Sequence, residues 1–364
     1  MNKLSFEEII KKDRLKMYVH IESSPEQLIS SYMDVLSKFS PNGQKLFDNL
    51  IFAGMGSSAT AAFVVCEWLR EKTSIPIYVI KKHILPNFVS TKTLAIIVSK
   101  SGETVETIKA FKDALKRKAE VICVSCGGTL EKLALKNNVK HIRTKSTPFS
   151  RTTTFTLIGA LIAAMEKILG LKDVKKEIKQ SYDNTRKLVR EIGVHVPIEE
   201  NYMKRYAEKL KDKRIHILTT PKMHAVGVRL LQQLNENSKI GAYYGSLPDA
   251  LHNYIMQKRG EKDILVVIKS SLEDEFMTLA LREFIRMTRC EILEITGFGG
   301  VYLSQILTAM LKSDYLSFYL ALALGVDPSQ TPAIAEVRKV MRERFPLNVF
   351  SRSPKNRLKG EAKG

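Results

Sequence analysis

Short apolar runs alternate with amphipathic segments through the first half of the chain. Five runs rich in β-branched and aromatic residues predict strands, over 46–54, 75–82, 93–100, 120–126 and 139–145. The segments between and after them space apolar residues three and four apart, which predicts helices over 57–71, 104–118, 129–138 and 151–169. Because strand and helix alternate, we expect a parallel sheet with helices on both faces, that is, a doubly wound α/β domain.

The same pattern restarts in the second half, after a polar stretch that predicts a connecting helix over 172–193. Strands are predicted over 214–220, 263–271 and 290–297, and helices over 223–237, 273–288, 301–311 and 315–324. We therefore infer a duplicated α/β unit. The predicted organisation is an N-terminal helical extension (1–45), a first domain (46–170), a connecting helix (171–212), a second domain (213–345) and a basic, disordered tail (346–364).

Composition places the chain among soluble globular proteins, with 44% apolar and 26% charged residues over 364 positions. The longest apolar stretches, 155–165 and 315–326, are shorter than the ~18 residues that a membrane span needs. The charged N-terminus has no apolar signal core, so we expect a cytoplasmic protein. Cys123 and Cys126 form a CxxC at the end of a strand, without a second pair, which favours a structural role over zinc or redox chemistry.

The net charge of +20 raises the question of nucleic-acid binding. The basic residues, however, are interleaved with Glu and Asp along helical faces instead of forming one stripe with aromatic residues. This pattern is typical of a basic surface that attracts anions in general, including phosphorylated metabolites. Nucleic acid is therefore the less favoured partner.

The first glycine-serine loop, GMGSS (54–58), joins a predicted strand to a predicted helix. Glycine lets the backbone approach a ligand, and the start of a helix offers free N–H groups to an anion. Gly56, Ser57 and Ser58 are the candidate phosphate ligands here. A tight strand-to-helix turn is the structural alternative.

A second loop, SKSGET (99–104), follows the next apolar run and carries Ser99, Ser101 and Thr104. An ordinary helix cap explains one of these hydroxyls but not all three, because a cap needs a single side-chain oxygen. Neither loop fits GxGxxG or GxxxxGK[ST], which disfavours a dinucleotide or a nucleoside triphosphate. The two loops together predict a seat for a monophosphate on a small molecule.

A glycine-serine loop followed by S-x-S-G-x-T-x-E-T resembles the SIS, or sugar isomerase, fold. Four further motifs resemble the bifunctional phosphoglucose/phosphomannose isomerases within the phosphoglucose isomerase superfamily, namely PFSR (148–151), LNENSK (234–239), LPDALHN (247–253) and the closing segment 313–337. The resemblance covers nearly the whole chain and implies two tandem SIS-type, flavodoxin-like domains. It also implies glucose 6-phosphate, mannose 6-phosphate and fructose 6-phosphate as substrates, no metal or other cofactor, and a homodimer whose subunits share the active sites.

Isomerisation of an aldose phosphate to a ketose phosphate moves a proton between adjacent carbons through a cis-enediol, which one carboxylate can do. Glu236 of LNENSK is the candidate base and matches the family glutamate. By the same resemblance, His252 opens the sugar ring and is supplied by the neighbouring subunit. Arg151, after PFS, is the candidate that stabilises the charge on the enediolate.

The chain departs from the family pattern at several positions. Asp249 and Tyr254 stand where the family usually has glutamate. Arg338 falls at the position of the family's lysine near the sugar ring, with Lys339 beside it, so a proton-donating role there changes to an electrostatic one or passes to Lys339. Thr331 matches the small residue that the family associates with activity on mannose 6-phosphate.

Two other functions remain open at the level of sequence. A phosphosugar-sensing SIS-domain regulator would use the same pocket without catalysis, but about 45 residues before the first strand are too few for a helix-turn-helix module. A glucosamine-type amidotransferase would need a nucleophilic cysteine near the N-terminus, where position 2 is Asn and the first cysteine is Cys66.

Overall fold

The computed structural model describes residues 3–41 and 46–347 of the chain. Most of the predicted basic tail, from residue 348 onwards, lies outside these residues. The N-terminal part forms α1 (Phe6–Lys12), α2 (Met17–Glu22) and α3 (Ser24–Lys38). The predicted helical extension is therefore present over the described residues.

The first half continues as alternating strands and helices. In chain order these are β1 (Asn49–Ala53), α4 (Gly56–Arg70), β2 (Ile77–Ile80), β3 (Thr93–Ser99), α5 (Val105–Lys116), β4 (Glu120–Ser125), α6 (Gly128–Lys136), β5 (Lys140–Arg143) and α7 (Thr154–Leu169). The connecting region forms α8 (Val174–Ile192) and α9 (Tyr202–Leu210).

The second half repeats the alternation. In chain order its elements are β6 (Arg214–Thr219), α10 (His224–Gln233), β7 (Ala242–Ser246), β8 (Asp263–Ser270), α11 (Glu275–Met287), β9 (Glu291–Gly297), α12 (Tyr302–Leu324) and α13 (Pro332–Arg344). Glycine at the left-handed C-cap ends α7 at Gly170 and α12 at Gly325.

The described strands form two sheets, ordered β2-β1-β3-β4-β5 and β7-β6-β8-β9, and every strand pair is parallel. The two sheets share one topology, since each first strand lies between the second and the third. The predicted fold class, two tandem doubly wound α/β units, is confirmed. In the first sheet Ala53 of β1 pairs with Ile97 of β3, so the loops after these strands leave the sheet side by side. This is the topological switch point, where doubly wound sheets bind ligands.

The core joins the two halves through α12, which is buried along nearly its whole length and packs against α8, α9 and α10. On the other side α3 packs closely on α7. The two backbones approach so closely at Gly159 that a Cβ there would lie 2.3 Å from the carbonyl oxygen of Leu28. The helix that includes α7, Ser150–Leu169, is long and apolar enough to cross a membrane, but 78% of its apolar window is buried, as in a core helix.

Some elements differ from the prediction. The region predicted as one connecting helix contains both α8 and α9, because Gly193 ends α8 and Asn201 caps α9 by accepting N–H bonds from Met203 and Lys204. The edge strand β7 was not predicted, since AYYGS is short and ends among glycines. The two helices predicted over 301–324 are one helix, and Cys123 of the CxxC is fully buried in β4.

Candidate functional site

Two helices begin at the switch point with their first N–H groups free. The N-cap of α4 is Met55, so this helix begins at Gly56, one residue before the predicted start, and the N-cap of α5 is Thr104. Within the described part of the chain, neither N-cap side chain accepts a capping hydrogen bond. Free N–H groups and the positive end of the helix dipole attract an anion, so this edge of the sheet is suited to a phosphate group.

A cavity of about 180 Å³ opens onto both helix N-termini. Of the predicted phosphate ligands, five line it: Gly56, Ser57, Ser58, Ser101 and Thr104. Of the predicted catalytic residues, three line it: Arg151, Glu236 and Arg338. Residues from both halves of the chain, from Met55 to Arg342, therefore meet in one small cavity.

The hydroxyl groups of the two loops also organise the loops themselves. Ser99 is buried and does not line the cavity: its Oγ donates to Thr104 Oγ1 (3.2 Å) and accepts from the N–H of Gly102 (3.1 Å). Ser58 Oγ accepts from the N–H of Lys100 (3.0 Å) and so ties the two loops together. The structure thus gives Ser99 a role within the loop, while Ser58, Ser101 and Thr104 face the cavity.

The second loop packs directly on the loop after β4. Gly102 has a φ of +66°, and a Cβ on it would lie 1.8 Å from the carbonyl oxygen of Gly127. The side chain of Glu103 accepts a hydrogen bond from the N–H of Thr129 (2.7 Å) in the first turn of α6. Both contacts fix the backbone that carries Ser101 and Thr104.

Replacing Gly102 by alanine is expected to destabilise the protein by about 2–4 kcal/mol and to weaken phosphate binding, because the new methyl group must displace the loop. Thermal unfolding and the KM for a sugar phosphate measure the two effects. Gly170 is the matched control: it has a similar φ of +63° but open space around it. Gly170→Ala should cost only the ~1–2 kcal/mol of the left-handed conformation and leave KM unchanged. Equal effects of the two substitutions would contradict the role of the loop contact.

Arg151 is held rigidly by groups from three parts of the chain. Its Nε donates to Asn237 Oδ1 (2.7 Å), and its Nη2 donates to the carbonyl oxygens of Pro328 (2.5 Å) and Ser329 (3.1 Å). Met17 Sδ of the N-terminal extension lies 3.8 Å from Nη2. Burial lowers the pKa of Arg151 and the nearby Glu236 opposes that shift, but an arginine remains charged in proteins at neutral pH. The remaining nitrogen, Nη1, is the one nearest to the carboxylate of Glu236.

Glu236 lies on a single π-helical turn, Leu234–Ser238, that continues α10. The sequence predicts an uninterrupted helix here, and such π-helical turns frequently occur at functional sites. Oε2 of Glu236 lies 3.5 Å from Nη1 of Arg151, with the carboxylate side chain 29% exposed and the guanidinium 6% exposed. A carboxylate that is open to the cavity beside a fixed cation can exchange a proton with a bound ligand while negative charge on that ligand is stabilised.

Behind this pair lies an ion pair that the sequence analysis missed. Arg229 of α10 and Asp314 of α12 are both buried and join through two bonds, from Nε (2.9 Å) and Nη2 (3.1 Å). Nη2 of Arg229 also donates to the carbonyl oxygen of Arg151 (2.5 Å), and Asn237 donates to Ser317 Oγ (3.0 Å). A signal was present in the sequence, because an acidic residue inside a long apolar helix implies a buried partner of opposite charge.

Three further basic residues line the cavity. Arg338 and Arg342, one turn apart on α13, line it together with Lys100. Burial lowers the pKa of Lys100, and the charge of Arg338 lowers it further. Lys339 does not line this cavity, so of the two candidates for the family's lysine position Arg338 is the one that reaches it.

Two predicted residues lie away from the cavity. His252 is exposed on the short turns after β7 and is not among the cavity residues. Thr331 is the N-cap of α13 and does not line the cavity either. The single chain therefore brings together the predicted base, the cation and most of the phosphate ligands, but not the residue predicted to open the ring.

Comparison with known families gives two matches that together span most of the chain. Residues 47–164 match the family described as SIS domain. Residues 199–341 match the family described as bacterial phospho-glucose isomerase C-terminal SIS domain. The first match contains both phosphate loops and Arg151, and the second contains Glu236, His252 and Arg338.

Similar proteins match this chain over most of its length. A bifunctional phosphoglucose/phosphomannose isomerase of Caldicellulosiruptor bescii is 26% identical over 90% of this chain and 99% of its own length. One of Aquifex aeolicus is 25% identical, covering 82% of this chain and 91% of its own. Among solved structures, a glucose-6-phosphate isomerase like protein from Thermus thermophilus superposes with a TM-score of 0.61 over 93% of this chain and 100% of that chain, at 18% identity, which shows a common fold.

Proposed function

Because the chain belongs to the family of bifunctional phosphoglucose/phosphomannose isomerases built on SIS domains, we propose that it interconverts glucose 6-phosphate, mannose 6-phosphate and fructose 6-phosphate. The observation that carries the proposal is the pair of Glu236 and Arg151, 3.5 Å apart, in the same cavity as two open helix N-termini. The cavity thus offers an anion seat at one end and a carboxylate beside a cation at the other.

Phosphate binding is the first proposed step. The 6-phosphate accepts N–H bonds from the first turns of α4 and α5 and O–H bonds from Ser58, Ser101 and Thr104, which line the cavity. Ser99 contributes indirectly, by holding Gly102 and Thr104 in place. The guanidinium of Arg338 adds an electrostatic contribution, since an arginine does not release its proton at neutral pH.

Proton transfer is the second proposed step. The Glu236 carboxylate removes the proton from C2, next to the carbonyl carbon C1, and returns it to C1, while the proton of the C2 hydroxyl group moves to O1, which converts aldose to ketose through a cis-enediol. Negative charge develops on the enediolate oxygen and is stabilised by Arg151, which the protein holds in place through Asn237 and the 328–329 carbonyls. The chemistry of these residues needs no metal ion.

Activity on mannose 6-phosphate requires the enediol to present its other face to Glu236. By resemblance to the bifunctional isomerases, the region of Thr331 is proposed to leave room for the enediol to rotate. Since Thr331 lies at the start of α13 and outside the cavity lining, its effect would act through the placement of the helix that carries Arg338.

The decisive experiment mixes purified protein with fructose 6-phosphate in EDTA and identifies the products by NMR. Formation of both glucose 6-phosphate and mannose 6-phosphate supports the proposal. Saturable binding of the sugar phosphate without turnover would instead favour the phosphosugar-sensing alternative.

A homodimer with shared sites is part of the proposal, because His252 is exposed and lies away from its own chain's cavity. Its segment also exposes the side chain of Met256 by 80%, and α11, which packs beneath the segment, exposes Phe276 by 67%. Apolar side chains exposed to this extent are typical of surfaces that another chain covers. A second copy would then supply His252 to the cavity.

Mixed dimers test this sharing. Glu236→Gln and His252→Ala subunits each have little activity as homodimers, and a mixture of equal amounts is expected to recover about a quarter of the wild-type activity. Recovery is expected because half of the dimers are mixed and each mixed dimer has one site with both native residues. Activity no higher than that of the separate variants after subunit exchange would contradict a site shared between subunits.

A further inference from the structure

Tyr254 ties the segment that carries His252 to the second sheet. The hydroxyl of Tyr254 lies 3.0 Å from Nδ1 of His216, a buried residue of β6. Around this contact the segment is otherwise at the surface, with His252 and Met256 both exposed. The hydroxyl group is thus a polar link between an exposed segment and the buried sheet.

His216 is itself fixed by a carboxylate. Its Nε2 lies 2.9 Å from Oδ1 of Asp263, and both residues are at most 2% exposed. Asp263 in turn accepts from Nη2 of Arg214 (2.8 Å) and from the N–H of Gly260 (2.8 Å). With both ring nitrogens engaged, the imidazole has one orientation, so the position of the Tyr254 hydroxyl group is set by the sheet.

The ring of Tyr254 is confined as closely as its hydroxyl group. The guanidinium of Arg259 lies 4.4 Å from its centroid, and the ring of Phe284 on α11 stacks at 6.1 Å. On the sheet side there is room only for glycine, since a Cβ at Gly245 would lie 2.4 Å from the Tyr254 ring. The ring therefore has essentially one position.

The backbone between Tyr254 and His252 is short and internally bonded. The N–H of His252 donates to the carbonyl oxygen of Asp249 (2.9 Å), and Asn253 Nδ2 donates to Asp249 Oδ2 (3.0 Å). A displacement at Tyr254 is therefore transmitted to His252 two residues away. The departure from the family pattern at position 254 replaces an acidic side chain with one that reaches the buried histidine.

We propose that Tyr254 is a positioning residue for His252, and that its bond to the His216–Asp263 pair holds the imidazole of His252 at the angle needed to open the sugar ring in the neighbouring subunit. The inference rests on the proposed function. It assigns a purpose to a buried histidine and a buried aspartate that touch no part of the catalytic cavity.

The test is Tyr254→Phe, which keeps the ring and removes the bond to His216. We expect kcat for the cyclic sugar phosphate to fall about tenfold, the rate equivalent of one hydrogen bond, with KM unchanged. Tyr243→Phe is the matched control, because the ring of Tyr243 stacks on His216 with 4.8 Å between the ring centroids. This contact uses the ring and not the hydroxyl group that the substitution removes. This control should retain full activity.

A double-mutant cycle separates positioning from general damage. If Tyr254 acts through His252, then Tyr254→Phe should cause no further loss in a His252→Ala background. A loss of kcat that is equally large in both backgrounds would overturn the inference, as would full activity of Tyr254→Phe. Retention of activity by His252→Ala would overturn it too, since there would be nothing to position.

Amide hydrogen exchange provides a readout that does not depend on turnover. Peptides covering 249–256 should exchange about tenfold faster in Tyr254→Phe than in wild type or Tyr243→Phe, with the rest of the second domain unchanged. Unchanged exchange in the segment would overturn the inference even if the protein were not an isomerase. Faster exchange in a protein that shows no turnover would contradict the proposed function and leave the structural link supported.

Discussion

Replacing Glu236 by glutamine is expected to lower kcat for fructose 6-phosphate isomerisation by about 1,000-fold, within the range that a positioned general base contributes. The amide has nearly the shape of the carboxylate but cannot take up the proton. The Glu236 side chain is partly exposed, and Arg151 keeps its bonds to Asn237 and to the carbonyl oxygens of residues 328 and 329, so the melting temperature should fall by only a few degrees. Coupled-enzyme assay of glucose 6-phosphate and thermal unfolding measure the two quantities.

Glu106 provides the matched control for this substitution. It is another carboxylate that lines the same cavity, but it lies in the first turn of α5, where the phosphate group is proposed to bind. Glu106→Gln should leave kcat within about twofold of wild type, because a carboxylate there is too close to the phosphate seat to reach the reacting carbons. A large loss for Glu106→Gln together with a small one for Glu236→Gln would show that the base had been assigned to the wrong residue.

The alternation of elements could be predicted because each strand of a parallel sheet is buried on both faces and so appears as an apolar run. β3 is the clearest example, with every residue from Thr93 to Ser99 buried. Edge elements carry less of this signal. β7 pairs on one side and has only partly apolar faces, and α13 has no fully buried residue, so neither shows a strong apolar period.

The meeting of the two glycine- and serine-containing loops could be predicted from local sequence, because both loops follow predicted strands and β1 and β3 are neighbours. The hydrogen bonds within the second loop could not be predicted in this way. The rotamer of Ser99 decides whether its hydroxyl group points into the cavity or towards the N–H of Gly102. The spacing of hydroxyl residues along the sequence does not determine that rotamer.

The proposed catalytic pair is harder to predict from residues alone, because Arg151 and Glu236 are 85 positions apart and belong to different halves of the chain. Family resemblance supplied both. What it did not supply is the buried support, in which Arg229 contacts the backbone of Arg151 and pairs with Asp314. Such long-range polar contacts have no period along the sequence, and only the folded chain shows them.

Replacing Asp314 by asparagine is expected to destabilise the protein by about 3–5 kcal/mol, because it leaves the charge of Arg229 buried without a counter-charge. Arg229 and Asp314 are 2% and 4% exposed, so water cannot take over the role of the carboxylate. Gln233 also loses a charged acceptor, since its Nε2 donates to Oδ1 of Asp314 (3.0 Å). The measurement is the midpoint of urea unfolding, followed by fluorescence.

An exposed ion pair on α8 gives the control. Asp183 lies 2.8 Å from Lys179, a distance similar to the 2.9 Å between Asp314 and Arg229, but the two side chains are 53% and 73% exposed. Asp183→Asn should change stability by less than about 1 kcal/mol. Similar losses for Asp183→Asn and Asp314→Asn would contradict the argument from burial.

The Asp314→Asn substitution also tests whether the buried ion pair between Arg229 and Asp314 contributes to catalysis. At a temperature where the Asp314→Asn protein is folded, we expect kcat to fall at least about tenfold, because Arg229 no longer holds the carbonyl group of Arg151 in place. Arg229→Met combined with Asp314→Leu removes both charges and should recover much of the lost stability. It should not recover kcat, since the bond to Arg151 is still missing. If the double variant regained full activity, the ion pair would support the core alone and Arg151 would be positioned by Asn237 and the 328–329 carbonyls.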